Sequence, residues 1–376
     1  MRDLYFSYLL KKTLEGDPLI AVKKGVQYSG LVLSRATRKS LAGPFHGSIV
    51  VTYRCNLRCP MCFLWKGPVD HTEEHKHPQK ELNHEEMIKL IDDFADIGTA
   101  GIGFTGGEPL LRPDMLDLIK YTKSKGMVTH LSSNGWIPSI KDIARKVVES
   151  GLDAIGFSVD GALPETHDAI RGKGSHDRVL KAIENIVELR KELKSNIKIV
   201  AVCVISNYNV DQVVNLVTLL KEKGVDHVSF MPFHDIGLFS KGKENSEEFK
   251  VLEEKVARLN AAVDQLINIR KKSKAIENSL AYLKLFKDAF AGKKLPFSCY
   301  AGYATLCIGA YGDIYPCFPR MEGDVEKGPN VREMPLKEYW HSQRIKEDRE
   351  KIRTCRDCFW NNQTEINLLF HPVRGT

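Results

Sequence analysis

No stretch of this chain approaches the ~18 consecutive apolar residues that a membrane-spanning helix needs. The longest apolar run, Ile199 to Ile205, has the length and β-branching of a buried strand. A secretory signal is missing too: Leu4 to Leu10 is short and apolar, but Asp3 precedes it, Lys11 and Lys12 follow, and no small-residue cleavage site appears. A cytoplasmic address is therefore expected. Charge of one sign is also scarce. Lysine plus arginine number 55 against 48 acidic residues, and the net +7 is spread too thinly to argue a nucleic-acid partner. Hydrophobic residues at 43% and charged residues at 27% exclude wholesale disorder and collagen-like repeats. What is plentiful is cysteine: nine in 376 residues. A reducing compartment argues against structural disulfides, so these are core thiols, metal ligands or nucleophiles, and spacing decides which.

At ~150 residues per domain the length suggests two domains, or one with an attachment. Residues 1–44 form a basic extension with eight lysines and arginines against three acidic residues. Leu4, Leu9, Leu10 and Leu14 recur there at helical intervals. The extension reads as a helical arm packed on the main domain, with weak contact to a membrane surface or an anionic partner as the alternative. Residues 45–235 alternate between strand and helix patterns. Strands are expected at Ser48–Tyr53, Gly101–Phe104, Val128–Ser132, Ala154–Val159, Lys198–Ile205 and His227–Met231. One helix should start at Asn83, with Glu86 completing a capping box, and end at Gly98; another should run from Asp211 to Lys223 and close at Gly224. Right-handed crossovers then give a parallel α/β sheet, as a partial barrel or a doubly wound sheet. Residues 236–294 read as two helices bridging to residues 295–376. That last region holds five cysteines among glycines, prolines and tyrosines, and metal cross-links are its expected source of stability. His71, His75 and His77 fall in a polar stretch expected to be a solvated loop.

Cys55, Cys59 and Cys62 follow directly after the first strand. Three thiolates in so short a span do not converge on a strand or a regular helix, but a loop wrapped around an iron–sulfur cubane brings them together. Three ligands on four irons leave one iron open, the mark of a reactive site. Zinc is the alternative, since Cys59 and Cys62 have zinc-finger spacing, but Cys55 lies too near to supply a natural fourth corner.

The Cys-x3-Cys-x2-Cys spacing resembles the radical S-adenosylmethionine (SAM) superfamily. Gly106-Gly107-Glu108-Pro109 at the end of the second strand is similar to that family's glycine-glycine-glutamate-proline motif. Its glycines admit close approach of backbone to a ligand, and the resemblance implies that Glu108 accepts from the methionine ammonium of SAM. Ser133, Asn134, Ser158 and Arg171 lie where the family's strand-end polar groups touch the ribose and carboxylate of SAM, with Asn207 a weaker parallel. Met61 stands where many members place an aromatic residue near the adenine. Gly101-x-Gly103-x-x-Gly106 also matches a dinucleotide-binding fingerprint. Its first two glycines lie inside the expected strand, however, and Pro109 and Pro113 interrupt the turn that should open a helix.

In the last region, Cys299 and Cys317 flank a turn at Gly312-Asp313 that should bring them together, and Cys355-Arg-Asp-Cys358 adds two more thiols. Four thiolates leave no open iron, which suits electron transfer or folding support. The layout resembles the auxiliary-cluster domain of the SPASM/twitch subfamily, in the twitch form with one cluster, because no further cysteine follows Cys358. Cys203 and Cys307 read as inert core thiols, with Cys307 a candidate to replace Cys299 as ligand.

Together these resemblances imply a partial (β/α)6 TIM-type barrel with a small C-terminal cysteine-rich domain. They also imply two [4Fe–4S] clusters, SAM, and an electron donor such as flavodoxin or ferredoxin. The implied activity is reductive cleavage of SAM to a 5′-deoxyadenosyl radical that takes hydrogen from a substrate, for net oxidation or bond formation. Peptide, small-metabolite and lipid or tetrapyrrole substrates all stay open. A non-catalytic iron–sulfur or zinc protein, acting as electron carrier or scaffold, is the alternative class.

Overall fold

The structure is a computed structural model and describes residues 18–62, 80–234, 247–319, 321 and 327–371. Leu4, Leu9, Leu10, Leu14, His71, His75 and His77 lie outside the described residues. Helix α1 (Pro18–Thr37) opens on a proline, whose missing N–H costs nothing in a first turn. Strands and helices then alternate: β1 (His46–Thr52), α2 (His84–Asp96), β2 (Gly101–Gly106), α3 (Met115–Ser124), β3 (Val128–Ser133), α4 (Lys141–Glu149) and β4 (Ala154–Ser158). Two helices, α5 (Pro164–Arg171) and α6 (Ser175–Glu192), precede β5 (Lys198–Ile205), α7 (Val213–Glu222) and β6 (His227–Pro232). All six expected strands form within two residues of the anticipated ends. The capping box at Asn83 is present: its side chain accepts from Glu86 N, and Glu86 accepts from Asn83 N.

After β6 come α8 (Val256–Lys272), α9 (Leu280–Phe290), a short β7 (Thr305–Ile308) and a two-residue β8 (Ile314–Tyr315). Helices α10 (Leu336–His341), α11 (Gln343–Ile352) and α12 (Asn361–Phe370) complete the chain. The strands form one sheet in the order β6-β5-β4-β3-β2-β1-β7-β8. Every pairing is parallel except the β7–β8 hairpin. Gly312, at φ +94°, supplies the left-handed residue that hairpin requires. The cysteine-rich segment therefore continues the barrel sheet on the far side of β1, with Cys307 opposite Ser48.

The core lies between the sheet and its helices, where Phe94, Phe104, Phe157 and Phe230 are completely buried. Helices α8 and α9 were expected to bridge two regions. They instead pack Leu259, Val263, Tyr282 and Phe286 into that same core. The segment between them lies along the free edge of β6: Val228 N donates to Ala275 O (2.7 Å) and Glu277 N to Val228 O (2.9 Å). The Asn278 amide then pairs with both the N–H (2.7 Å) and the carbonyl (3.0 Å) of Phe230. Inside the sheet, a Cβ on Gly103 would sit 2.8 Å from the His46 ring and one on Gly156 2.9 Å from the His130 ring. These glycines make room for two imidazoles, which accounts for the second glycine of the dinucleotide-like pattern. Burial pushes both rings down, His46 to about 3 and His130 to about 4, so both are neutral.

Helix α1 is the expected arm, but its buried Leu31 packs on Tyr300, Tyr303, Ala304 and Ile366 of the C-terminal region. Gln27 ties it to the barrel by donating to Gly98 O at 2.9 Å. At the opposite side, Arg332 donates to both oxygens of Glu86 at 2.6 and 2.9 Å, joining the C-terminal region to the start of α2. Asn83→Ala is expected to cost about 1 kcal/mol and to lower the thermal midpoint by roughly 2 °C in calorimetry. An unchanged midpoint would mean that the Glu86–Arg332 pair alone holds that helix start.

Candidate active site

The loop from Arg54 to Cys62 leaves the carboxyl end of β1 and is held by backbone contacts and by Arg58, which donates to Cys55 O at 2.9 Å. Gly107 N donates to Thr52 O (2.9 Å) and Glu108 N to Arg54 O (2.8 Å). Thr52 Oγ1 (2.9 Å) and Tyr53 N (2.6 Å) both donate to Glu81. The turn after β2 presses so closely on this loop that a Cβ on Gly106 would lie 2.1 Å from Thr52 O, and one on Gly107 2.2 Å from Arg54 O. Gly106 also has φ +148°. The two glycines thus allow the cysteine loop to seat on the barrel, a different close approach from the ligand contact expected of them. Within the loop, Cys62 N donates to Cys59 O at 2.9 Å, and Cys55 Sγ accepts from Leu57 N at 3.4 Å and Asn134 Nδ2 at 3.8 Å. Burial pushes the Cys55 thiol up to about 11 and raises Cys59 as well, with the Arg171 charge opposing the rise at Cys59.

Glu108 is fully buried, and its charge reaches the Cys55 thiol. Its carboxylate accepts from Ser133 Oγ (3.1 Å to each oxygen), Asn134 N (2.8 Å) and Leu110 N (3.2 Å). It caps the single turn Pro109–Leu111 and braces the end of β3. Ser133 bonds Glu108, and its half-buried neighbour Ser132 lines the cavity. Burial pushes Glu108 up to about 7 against the opposing pull of its three donors.

A cavity of about 230 Å³ opens at the carboxyl ends of β2 to β6, the face where barrels of this kind gather their chemistry. Thr105, Gly106, Ser132 and Ser158 line its polar side, beside Met61 and Cys62. Arg171 reaches in from α5, paired at 2.5 Å with Asp160, which is completely buried and also accepts from Val204 N at 2.8 Å. Burial alone would lower Arg171, but Asp160 and the Cys59 and Cys62 thiols outweigh it and hold the guanidinium charged. Val202, Val204, Met231 and Phe233 form the apolar side. Asn207 is not among the lining residues; its backbone is tied to Phe249 O (3.0 Å) and Lys255 Nζ (2.7 Å).

The remaining wall comes from the cysteine-rich region. Phe318 and Trp360 line the cavity, their rings 5.3 Å apart. His234, at the end of β6, lines it too, and its Nε2 accepts from Phe359 N at 3.0 Å. None of these three was anticipated. The available signal was adjacency, since Phe318 follows Cys317 and Trp360 follows Cys358 by two positions. Behind this wall Cys299, Cys317 and Cys355 pack around Ala301 and Ile352. Cys358 is within electrostatic reach of all three, and its thiol is raised, by burial first and by those neighbours after it. Cys307 faces elsewhere, with Tyr53, Tyr315 and Met321 (3.7 Å to Sδ), and Cys203 is buried in β5. Among the described residues no three His, Cys, Asp or Glu side chains stand at the spacing of a single metal ion. Thiolates around one zinc would crowd to within about 4 Å of one another, whereas a cubane holds them farther apart. A three-thiol loop open to a cavity and a separate four-thiol group fit two such clusters.

Residues 49–205 match the family model of the radical SAM superfamily, and residues 299–359 match SPASM, an iron-sulfur cluster-binding domain. The chain belongs to the radical SAM superfamily. It is similar to an Fe-coproporphyrin III synthase of Methanosarcina barkeri, 34% identical over 181 residues that make up 48% of this chain and 42% of that protein. It is also similar to an AdoMet-dependent heme synthase of the same organism, 26% identical over 322 residues, which cover 82% of this chain and 83% of that one. Among solved structures, SuiB of Streptococcus suis bound to its precursor peptide shares the fold, with a TM-score of 0.62, 18% identity, and coverage of 85% of this chain and 69% of that one. This radical SAM chain is thus an enzyme whose family cofactors are SAM and a [4Fe–4S] cluster, with auxiliary iron–sulfur binding in the SPASM region.

The buried glutamate gives a pH test. Its folded pKa lies above the unfolded value, so the folded state binds the extra proton, and stability falls as pH rises from about 4.5 through 7. Glu108→Gln should remove about 2 to 3 kcal/mol of that loss between pH 5 and pH 8, read as a flatter plot of unfolding midpoint against pH. An unaltered slope would place the dependence in another group.

Proposed function

We propose that Cys55, Cys59 and Cys62 hold the cluster that binds SAM, and that Cys299, Cys317, Cys355 and Cys358 hold the auxiliary cluster. The substrate, in this reading, is a carboxylated tetrapyrrole or an equally flat amphiphile. One observation carries the arrangement: a single cavity has Met61 and Cys62 on one wall and Phe318 and Trp360 on the other. When bound, the reduced cluster and SAM supply a 5′-deoxyadenosyl radical that takes a hydrogen atom from the substrate. The chain's own part is to bind, orient and keep out water. Arg171, its guanidinium aimed by buried Asp160, offers a fixed cation to a carboxylate. The hydroxyls of Ser132 and Ser158 face the same space and suit a ribose, with Gly106, Gly107 and Pro109 shaping the turn beneath it. Asn134, its amide N–H given to Glu108, directs its side chain to Asn56 (2.9 Å) and Cys55.

The substrate class rests on two supports. Among the described residues no carboxylate lines the cavity, while Val202, Val204, Met231, Phe233, Phe318 and Trp360 give it a broad apolar surface. That lining favours a flat apolar body with anionic groups over a cationic substrate. The relative that this chain matches over most of both lengths is named a heme synthase. A small acidic electron carrier such as flavodoxin or ferredoxin completes the system as reductant.

Anaerobically reconstituted enzyme, given SAM, dithionite and Fe-coproporphyrin III, is expected to yield 5′-deoxyadenosine together with a mass change in the macrocycle. Replacing Cys55, Cys59 and Cys62 by alanine should lower both more than 100-fold. Replacing Cys355 and Cys358 should spare 5′-deoxyadenosine and abolish the mass change. Robust 5′-deoxyadenosine with an unaltered macrocycle would reject the tetrapyrrole.

A further inference from the structure

The corner of the auxiliary site at Cys299 is built differently from the others. Asn367 of α12 stands beside it with its amide orientation fixed: Oδ1 accepts from Tyr300 N (2.9 Å) and Gln363 Nε2 (3.0 Å). With the oxygen taken by two donors, the –NH2 end must be the one that faces Cys299 Sγ, at 3.6 Å. Ala301 N donates to the same sulfur at 3.3 Å. From the other side comes Arg35 of α1. Its guanidinium lies 4.4 Å from the centre of the Tyr300 ring, donates to the carbonyl of Cys299 and to Ser298 Oγ (2.6 Å), and approaches Arg353 O (3.4 Å). Among the described residues no carboxylate pairs with Arg35. These groups belong to elements outside the cysteine motif, one from each end of the chain.

Adding an electron to a thiolate-held cluster makes an already anionic group more negative. N–H dipoles on its sulfurs and a nearby cation stabilise the reduced form preferentially and raise the potential. The effect is largest where water is excluded, and Tyr300, stacked on Phe370 at 4.3 Å, covers this corner. Resting on the assignment of the four cysteines to an auxiliary cluster, we infer that Arg35 and Asn367 are positioning residues that set that cluster's reduction potential, raising it so that it accepts an electron more readily. Helix α1 is in this account an electrostatic part of the auxiliary site.

The test uses the full chain with Cys55, Cys59 and Cys62 replaced by alanine, so that only the auxiliary cluster is reduced, followed by electron paramagnetic resonance in a potentiometric titration. Arg35→Met and Asn367→Asp should each shift the midpoint to more negative values, with the larger shift for Asn367→Asp, which turns a donor on sulfur into an acceptor. Arg35→Lys should restore most of the Arg35→Met shift. In the chain with all cysteines present, the same substitutions should leave the midpoint of the SAM-binding cluster in place. Retained clusters with unmoved midpoints in both variants would overturn the inference while leaving the cysteine assignment standing. Should Asn367→Asp fail to hold iron, the Arg35→Met and Arg35→Lys pair still decides, because a purely packing role predicts equal midpoints. Absence of any iron–sulfur signal from the triple-alanine chain would overturn the cysteine assignment, and the inference with it.

Discussion

Strand β1 is the member on which the rest of the architecture depends. It pairs with β2 on one side and β7 on the other, so it belongs at once to the barrel and to the cysteine-rich region. The loop that follows it inherits both attachments. Its start is pinned by the turn after β2, and its far side faces an apolar patch that Cys62 shares with Cys307, Tyr311 and Tyr315. A shift of β1 by one residue would exchange its faces, moving the three thiols away from the cavity and Tyr53 out of that patch. The two thiol groups thus keep a fixed relation because one strand holds both sides.

The polar groups beneath the cavity form a supporting layer. Asp160 aims Arg171 and anchors Val204, while its own N–H donates to His167 Nδ1 at 3.2 Å. Glu108 does the corresponding work between β2 and β3, gathering three donors around a carboxylate that never meets solvent. A buried carboxylate is costly unless its oxygens are occupied, and here the donors sit at the end of β3 (Ser133, Asn134) and in the turn after β2 (Leu110). The acidic residues Asp160 and Glu108 thus hold other groups in place, and among the described residues that line the cavity the guanidinium of Arg171 is the charge presented to a ligand.

Much of this was legible in the sequence because the governing signals are local. The six barrel strands, the Asn83 capping box and the stops at Gly98 and Gly224 each rest on a few neighbouring residues. The tight cysteine triplet and the later Cys-x2-Cys stand out in the sequence for the same reason. What was hidden depends on contacts across long separations. Nothing near Thr305 shows that it will lie against His46, and helical periodicity in α8 and α9 does not say which sheet edge they cover. The donors that gather on Glu108 were not legible, because a motif names a residue without fixing its rotamer. Ser132, which was not singled out, lines the cavity because a strand alternates its faces at every residue. Phe318, Trp360 and His234 converge only when the last quarter of the chain closes over the barrel mouth.

An open sheet of eight strands has two ends, and each end is a hazard, because exposed ladder groups invite a strand from another molecule. This protein blunts both. At β6 the segment from Ala275 to Asn278 occupies the free side, the Asn278 amide imitating a strand neighbour for Phe230. At β8 the outer strand is only two residues long, and Ile314 already exchanges hydrogen bonds with Gly328 (2.7 Å) and Pro329 (3.2 Å). Among the described residues a polymerising chain would meet both edges already engaged, so this sheet can stop short of closing into a full ring with less risk of becoming a seed for fibres.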